Sequence, residues 1–185
     1  MRVNVIGTSG SGKTTFGREL ASILKIPFIE LDALYWGPDW REPTDSVLFS
    51  RLTAALAGES WVLDGNYSRT TDIKWEHVDA VIWLDYSFPR TTAQAVKRAV
   101  SRIVSQEELW PGTGNRESIQ KLFSRDSILL WTIQTYSKRK KKILRAISSA
   151  RYQSIIFHRI KTPIQARNFL HSAARDPGVI IRQSI

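Results

Sequence analysis

A segment near the start of the chain combines residue types that bind phosphate groups. Residues 7–15 read Gly-Thr-Ser-Gly-Ser-Gly-Lys-Thr-Thr and match the pattern G-x-x-x-x-G-K-[ST]. Glycines let successive backbone N–H groups converge on phosphate oxygens, the lysine reaches the β and γ phosphates of a nucleotide, and the threonine hydroxyl binds Mg²⁺. The pattern predicts nucleotide binding by Gly7, Thr8, Ser9, Gly10, Ser11, Gly12, Lys13, Thr14 and Thr15.

The elements that flank this loop decide whether the pattern is meaningful. Residues 3–6 form a short apolar run typical of a strand, and Phe16, Leu20, Ile23 and Leu24 follow the loop at helical spacing. A phosphate-binding loop needs this order, because the strand holds the loop and the helix N-terminus adds positive potential. The context therefore supports a phosphate-binding loop over an incidental glycine-rich turn.

Strand-like and helix-like segments alternate along the rest of the chain. Further strands are predicted at residues 28–31, 61–63, 80–84 and 152–157, and helices at 44–58, 87–104, from about 118 to 147, and from 162. This order is typical of an α/β sheet covered by helices. With 185 residues and no internal repeat, we expect a single domain over residues 1–185.

An acidic residue lies where a metal ligand is expected. Asp64 closes the third predicted strand and is a candidate Mg²⁺ ligand together with Thr14. Gly65 follows it in place of a water-activating glutamate, which disfavours a dedicated hydrolase. The chain has no Asn-Lys-x-Asp segment, which disfavours a GTPase. The function that remains is the transfer of a phosphoryl group to a bound acceptor.

The motifs resemble those of the P-loop nucleoside-monophosphate-kinase-like superfamily of adenylate, shikimate and gluconate kinases, and most closely the adenylate-kinase-like DNA topology modulation proteins. The resemblance rests on the loop, on residues 31–36 and 63–70, on the strand around Trp83 and on residues 114–117. It implies an α/β P-loop NTPase fold with a parallel five-stranded sheet in the order 2-3-1-4-5. It also implies an acceptor region after strand two, a mobile lid at about 107–126, and ATP and Mg²⁺ as cofactors.

The resemblance also assigns roles on the acceptor side. Asp64 is similar to the adenylate kinase acid near Mg²⁺, and Arg69 to the arginine that grips an acceptor phosphate, although it lies one residue further along. Glu30 and Asp32 resemble the acid pair of shikimate kinase. At i and i+2 on a strand both would point to one face, so that one steers Mg²⁺ while Asp32 orients an acceptor hydroxyl. Solvated acids at a strand end are the alternative.

Arginines complete the predicted site. In the resembled kinases, arginines at the positions of Arg98 and Arg102 stack on adenine or bind phosphates, and Arg98 is assigned to the nucleotide. Arg116 is the candidate lid arginine that neutralises charge on the transferring phosphoryl group. The predicted catalytic residues are thus Lys13, Asp32 and Arg116, while a solvated helix face is the alternative for the arginines.

Aromatic residues after the second strand suggest a surface for the acceptor. Tyr35, Trp36 and Trp40 can stack against an acceptor base, although core packing explains them nearly as well. The predicted acceptor-binding residues are Asp32, Tyr35 and Arg69. Arg69 and the aromatic segment favour a nucleoside monophosphate as acceptor, and the acid pair favours a hydroxyl-bearing metabolite.

The charge of the chain bears on its partners. Net charge is +10, with 27 Lys and Arg against 17 Asp and Glu, and residues 138–142 form a basic block. This favours anionic partners. We expect the block to lie beyond the lid without a role toward phosphate, and nucleic-acid binding to be weak and non-specific. The alternatives to a kinase are a nucleotide-regulated nucleic-acid-binding protein and a module that holds ATP without turnover.

Composition adds expectations about location. The chain contains no cysteine, shows no secretory signal, and has no apolar run long enough to span a bilayer. We expect a cytoplasmic protein without membrane attachment, and the pattern leaves the oligomeric state open.

Overall fold

The computed structural model of the protein describes residues 1–118 and 128–182. The strands are β1 (Arg2–Gly7), β2 (Phe28–Glu30), β3 (Trp61–Asp64), β4 (Ala80–Leu84) and β5 (Ile156–Ile160). The helices are α1 (Lys13–Leu24), α2 (Leu31–Tyr35), α3 (Asp45–Ala55), α4 (Thr71–Trp75), α5 (Phe88–Ser105), α6 (Ile128–Ile147) and α7 (Pro163–Arg175). Single 3-10 turns lie at Pro38–Trp40, Ser68–Thr70, Ala150–Tyr152 and Pro177–Ile181.

The strands form one parallel sheet in the order β2-β3-β1-β4-β5. This confirms the predicted fold class and strand order. In the register of the sheet, Val5 lies opposite Asp64 on one side, and Gly7 lies opposite Leu84 on the other. Because parallel strands end at the same edge, the loop after β1 and the residues after β3 and β4 share one rim.

Apolar side chains cover both faces of the sheet. One cluster contains Phe16 and Leu20 of α1 and Leu170 of α7, and the other contains Leu48 and Leu52 of α3. Every residue of β4 is buried, as expected for a strand with helices on both faces. Burial of each large aliphatic side chain contributes about 1.5–3 kcal/mol, so the two layers hold the rim in place.

Four of the five predicted strands have different limits in the structure, and two of these differences change where a named residue lies. The second ends at Glu30, and α2 begins at Leu31, so Asp32 lies on a helix rather than a strand. The last strand begins at Ile156 rather than at Tyr152. The Tyr152 ring packs edge-on against Trp75 of α4, with 4.9 Å between the ring centres. Tyr152 therefore packs against a helix instead of lying on a face of the sheet.

Two short helices, α2 and α4, are not among the predicted ones, and the predicted helices differ from the structure at their ends. The helix predicted to end at Gly58 stops at Ala55, and the described part of the helix predicted from about Ser118 to Ile147 is Ile128–Ile147. Residues 119–126 of the predicted lid lie outside the described residues. Within the part of the chain that the structure describes, no helix is long and apolar enough to cross a bilayer.

Candidate functional site

The phosphate-binding loop connects β1 to α1 and requires glycine at two positions for different reasons. Gly10 has φ +79°, and a Cβ on it would lie 2.2 Å from the Thr91 carbonyl of α5. Gly12 has φ +80°, but a Cβ there would meet nothing within 4 Å. Gly10 therefore packs the loop against α5, while Gly12 leaves open space in front of the first N–H groups of α1. Such a space accepts an anionic group.

The two predicted metal ligands meet at the rim. The Thr14 hydroxyl donates to Asp64 Oδ2 at 2.5 Å, whereas the buried Asp64 Oδ1 has no hydrogen-bond partner among the described residues. Burial raises the pKa of Asp64, and the charges of Asp32 and Glu30 raise it further, while Lys13 and Thr14 lower it. A positive charge beside this carboxylate would offset the cost of its burial.

These groups fit Mg²⁺, which prefers hard oxygen ligands and is commonly held by one or two protein groups plus phosphate oxygens and water. Thr14 and Asp64 supply the protein oxygens. Within the described residues there is no group of three or more His, Cys, Asp or Glu side chains that could hold a metal without help. The arrangement therefore suits an ion that arrives with a nucleotide.

Glu30 and Asp32 flank Asp64, but in a different way from the prediction. The common strand face assumed for them is wrong, because β2 ends between the two residues. Glu30 pairs with Arg18 at 2.8 Å and accepts a hydrogen bond from Trp110 Nε1 at 3.2 Å. Asp32 instead accepts a hydrogen bond from the Tyr67 hydroxyl. Burial and the interaction with Asp32 raise the pKa of this hydroxyl. Glu30 is thus engaged in structural contacts, whereas Asp32 faces the rim.

Arg98 lies at the phosphate-binding loop. It projects from α5, and its Nη2 donates to Ser9 Oγ at 2.8 Å. Burial is the main cause that lowers the pKa of Arg98; Arg102 also lowers it, while Glu117, Asp32 and Asp64 favour the charged form. This position agrees with the expectation that Arg98 contacts the nucleotide.

The structure places two other predicted arginines away from the loop. Arg116 is exposed and donates to the carbonyl of Gln106, so its lid role stays a prediction. Arg69 pairs with Asp45 at 2.8 Å and lies 5.1 Å from the centre of the Tyr35 ring. Both arginines are therefore engaged by neighbouring groups of the protein in this structure.

Tyr35 is a core residue rather than an open stacking surface. It is 5% exposed, and its ring lies 4.7 Å from that of Tyr67 and 4.8 Å from that of Trp36. Burial is the main cause that raises the pKa of its hydroxyl, with a further contribution from a hydrogen bond to Glu42. For Tyr35 the structure supports core packing, which was the alternative for this aromatic segment, whereas Trp36 and Trp40 are half-buried.

The basic block lies closer to the site than predicted. Arg139 of α6 donates to Asn66 Oδ1 at 3.4 Å, and Asn66 Nδ2 donates to the Gly7 carbonyl at 3.0 Å. Lys140 forms an ion pair with Asp85 at 3.1 Å, directly after β4. Arg139 and Lys140 therefore lie at the rim, whereas the expectation that the block has no role toward phosphate stays a prediction. The helical spacing of Tyr136, Arg139, Lys140 and Ile143, which line one small cavity, is the signal that identifies this face.

Three tryptophans join the segment after α2 to the beginning of the predicted lid. The ring of Trp36 lies 5.4 Å from Trp40 and 6.3 Å from Trp110. The buried Asn115 reinforces this contact, because it accepts from Trp40 N and donates to the Gly37 carbonyl, both at 2.9 Å. We did not predict Asn115 as a site residue. Its hydrogen bonds couple the acceptor side of the rim to residues 109–115.

We expect Asn115→Ala to lower the free energy of unfolding by about 1–3 kcal/mol, because it leaves two backbone groups without their partner. Tryptophan emission should also shift to the red as the three rings become more exposed. Urea unfolding followed by fluorescence measures both effects. Asn168→Ala is the matched control, because Asn168 is exposed on α7. Equal stability of the two variants would contradict the role of Asn115.

Comparisons with known proteins find similarity to small-molecule kinases. The shikimate kinase family model matches residues 9–36, which run from within the phosphate-binding loop through α1, β2 and α2. Among curated protein sequences, none is significantly similar to this chain.

Solved structures resemble the chain over nearly its whole length. A sugar kinase from Janibacter sp. HTCC2649 is 18% identical, with 97% of this chain and 95% of that chain covered and a TM-score of 0.50. Shikimate kinase from Bacteroides thetaiotaomicron is 14% identical, with 95% and 97% covered and a TM-score of 0.53. A gluconokinase from Sinorhizobium meliloti 1021 is 18% identical, with 96% and 95% covered and a TM-score of 0.50.

These comparisons show that the chain has the fold of these small-molecule kinases, which confirms the predicted fold class. The finer resemblance to DNA topology modulation proteins receives no support from them and stays a prediction. The three similar structures differ in the acceptors that their names imply, so the acceptor of this chain has to be argued from its own residues.

Proposed function

We propose that this chain, with the fold of the P-loop kinases, transfers the γ-phosphoryl group of ATP to a hydroxyl of a small metabolite. The observation that carries the proposal is the meeting of Lys13, Asp64 and Asp32 at one rim, next to an open phosphate-binding loop. The loop and Asp64 are placed to bind ATP, the phosphoryl donor, together with its metal ion. Asp32 is placed to interact with the hydroxyl of the acceptor.

Each residue has a task in the transfer. Lys13 and the N–H groups of the loop hold the β and γ phosphates, and Arg98 adds positive charge behind Ser9. Thr14 and Asp64 would hold Mg²⁺, which neutralises charge on the phosphates. The acceptor oxygen forms the new bond to phosphorus, the bond to the bridging oxygen of ADP breaks, and Asp32 accepts the hydroxyl proton. Positioning and electrostatics provide most of the acceleration.

A hydroxyl-bearing metabolite fits the rim better than a nucleoside monophosphate. Arg69, which was predicted to grip an acceptor phosphate, is engaged with Asp45. Tyr35 is buried, and the half-buried rings of Trp36 and Trp40 already pack edge to face against each other. Asp32, by contrast, lies within electrostatic range of Asp64.

The nucleic-acid alternative is less favoured by the same geometry. Two residues of the basic block are directed at the rim, with Lys140 paired to Asp85 and Arg139 donating to Asn66. A block that contacts its own sheet presents less charge to a polyanion. ATP-responsive binding of DNA that resists salt would nevertheless favour that function over transfer.

A screen for phosphoryl transfer tests the proposal directly. ATP and Mg²⁺ are incubated with sugars, sugar acids, shikimate-like acids, nucleosides and nucleotides, and ADP release is measured. We expect release to depend on one of the non-nucleotide acceptors. Release of ADP at the same rate without any acceptor would indicate hydrolysis and contradict the proposal.

We expect Asp32→Asn to reduce the rate of transfer by roughly tenfold to a hundredfold, while ATP affinity changes little. This loss of rate lies at or below the lower end of the range that general base catalysis contributes, because phosphoryl transfer has a loose transition state. Steady-state kinetics with the acceptor from the screen and calorimetry with an ATP analogue measure the two effects. Asp39→Asn is the control, since Asp39 is an exposed acid in the neighbouring turn. Equal loss of ATP affinity would instead place Asp32 among the metal ligands.

A further inference from the structure

A second cavity adjoins the phosphate site on the side of α4. Its volume is about 310 Å³, and its lining includes Asn66, Ser68, Lys74, Trp75, Arg139 and Lys142. Asn66 and Arg139 also line the small cavity that contains Thr8 of the phosphate-binding loop. The two spaces therefore share a wall, and a molecule in the larger one can extend toward the loop.

Lys74 is the unusual residue of this cavity. It is 2% exposed, and its Nζ lies 3.4 Å from the carbonyl oxygens of Gly65 and Tyr67. No carboxylate of the described residues forms an ion pair with it. Burial lowers the pKa of Lys74 to about 7, and the charges of Arg139 and Lys142 lower it as well. A buried ammonium without a counter-ion is costly, and an anion would offset that cost.

The other charged groups around the cavity are mainly positive. Arg139 and Lys142 come from α6, and Lys74 comes from α4. The one acidic residue in the described lining, Asp72, is already paired with Arg151 at 2.9 Å. The charge of this space is therefore complementary to a carboxylate or a phosphate group.

We propose that the cavity binds the anionic group of the phosphoryl acceptor, with Lys74 as its main cation and Lys142 at its exposed side. The acceptor is then a hydroxyl-bearing carboxylate or a phosphorylated metabolite rather than a neutral sugar. The anion lies between α4 and α6, and the hydroxyl extends past Asn66 and Arg139 toward the loop. The assignment of the occupant as acceptor rests on the proposed function, whereas the anion site itself does not.

We expect the protein to take up a proton when it binds the anion. At about pH 8, a lysine of lowered pKa is mostly neutral, and a bound anion favours its charged form, so binding takes up a proton. Proton uptake that is lost in Lys74→Met is therefore the signature of an anion at Lys74.

The experiment is calorimetry with gluconate, glucose and inorganic phosphate at about pH 8, in buffers that differ in ionisation enthalpy. It is run in the Lys13→Ala background as well, so that binding at the phosphate-binding loop is separated from binding in the cavity. We expect gluconate or phosphate to bind with proton uptake and glucose not to bind. The preference between gluconate and phosphate identifies the anion as carboxylate or phosphate.

Substitutions locate the site. We expect Lys74→Met to weaken anion binding at least about tenfold and to abolish proton uptake, because it removes a buried charge. Lys142→Met should weaken binding less. Lys141→Met is the matched control, since Lys141 is exposed on the same helix and does not line the cavity. Thermal unfolding of each variant verifies that it folds.

The outcomes separate this proposal from the kinase function. Absence of anion binding by the unsubstituted chain, or unchanged affinity and proton uptake in Lys74→Met, would overturn the anion site. Transfer from ATP to a neutral sugar without anion binding would overturn it too, with the kinase function intact. Anion binding at Lys74 without transfer to any acceptor would support the site and contradict the kinase function.

Discussion

Replacing Lys13 with alanine is expected to reduce ATP-dependent transfer by about a hundredfold to a thousandfold. An oriented cation in a fixed site contributes about 3–4 kcal/mol to stabilising charge on the transferring group. Lys13 opens α1 and interacts with Asp64, but it belongs to neither apolar cluster. The fold should therefore survive the substitution. Steady-state ADP release and circular dichroism measure the two outcomes.

A second lysine provides the control for this loss. Lys141 is exposed on α6 and lines neither of the two cavities, and Lys141→Ala removes the same charge from the surface. We expect it to retain full turnover and ATP affinity. If Lys13→Ala behaved like Lys141→Ala in both measurements, nucleotide binding at residues 7–15 would be refuted.

The phosphate-binding loop was predictable because its residues are contiguous. Spacing within residues 7–15, between a strand and a helix, specifies the backbone geometry that phosphate needs. The sheet order followed from the resemblance of this and later motifs, and the structure confirms it. A local motif with strict spacing can be predicted from sequence, because the strand and the helix that flank it are part of the pattern.

Asp32 shows where local patterns become insufficient. Alternation on a strand placed Glu30 and Asp32 on one face, but α2 begins at Leu31 and redirects the chain. Leu31 is fully buried, and a Cβ on Gly65 would lie 2.5 Å from the Leu31 Cβ. The close approach of β3 to this turn, which depends on tertiary packing, therefore positions Asp32.

Residues that enter the site from distant parts of the chain were the hardest to predict. Arg139 reaches Asn66 only because α6 packs over the rim, and Asn115 contacts Gly37 across a long stretch of sequence. Nothing in the local sequence pattern distinguishes Lys74. Its burial depends on α6 and on the carbonyls of Gly65 and Tyr67, and no local pattern encodes these contacts.

Asp64→Asn is expected to reduce Mg²⁺-dependent transfer by about a thousandfold, because the amide keeps the shape of the carboxylate but loses the charge that holds the ion. The hydrogen bond from Thr14 can persist to the amide oxygen. Raising the Mg²⁺ concentration should recover part of the activity if the charge acts through the metal. Asp39→Asn, at an exposed acid, should leave the rate and its Mg²⁺ dependence unchanged.

The same substitution should stabilise the protein in the absence of metal, which separates function from folding at this residue. The pKa of Asp64 is raised mainly by burial, so its protonated form favours the folded state, and this contribution is lost as pH rises through the raised pKa. Asp64→Asn cannot ionise. Its melting temperature should therefore exceed that of the unsubstituted protein at about pH 7, with a smaller difference at about pH 4. In the presence of ADP, added Mg²⁺ should further stabilise only the protein that retains Asp64, and an equal response in Asp64→Asn would refute this carboxylate as a metal ligand.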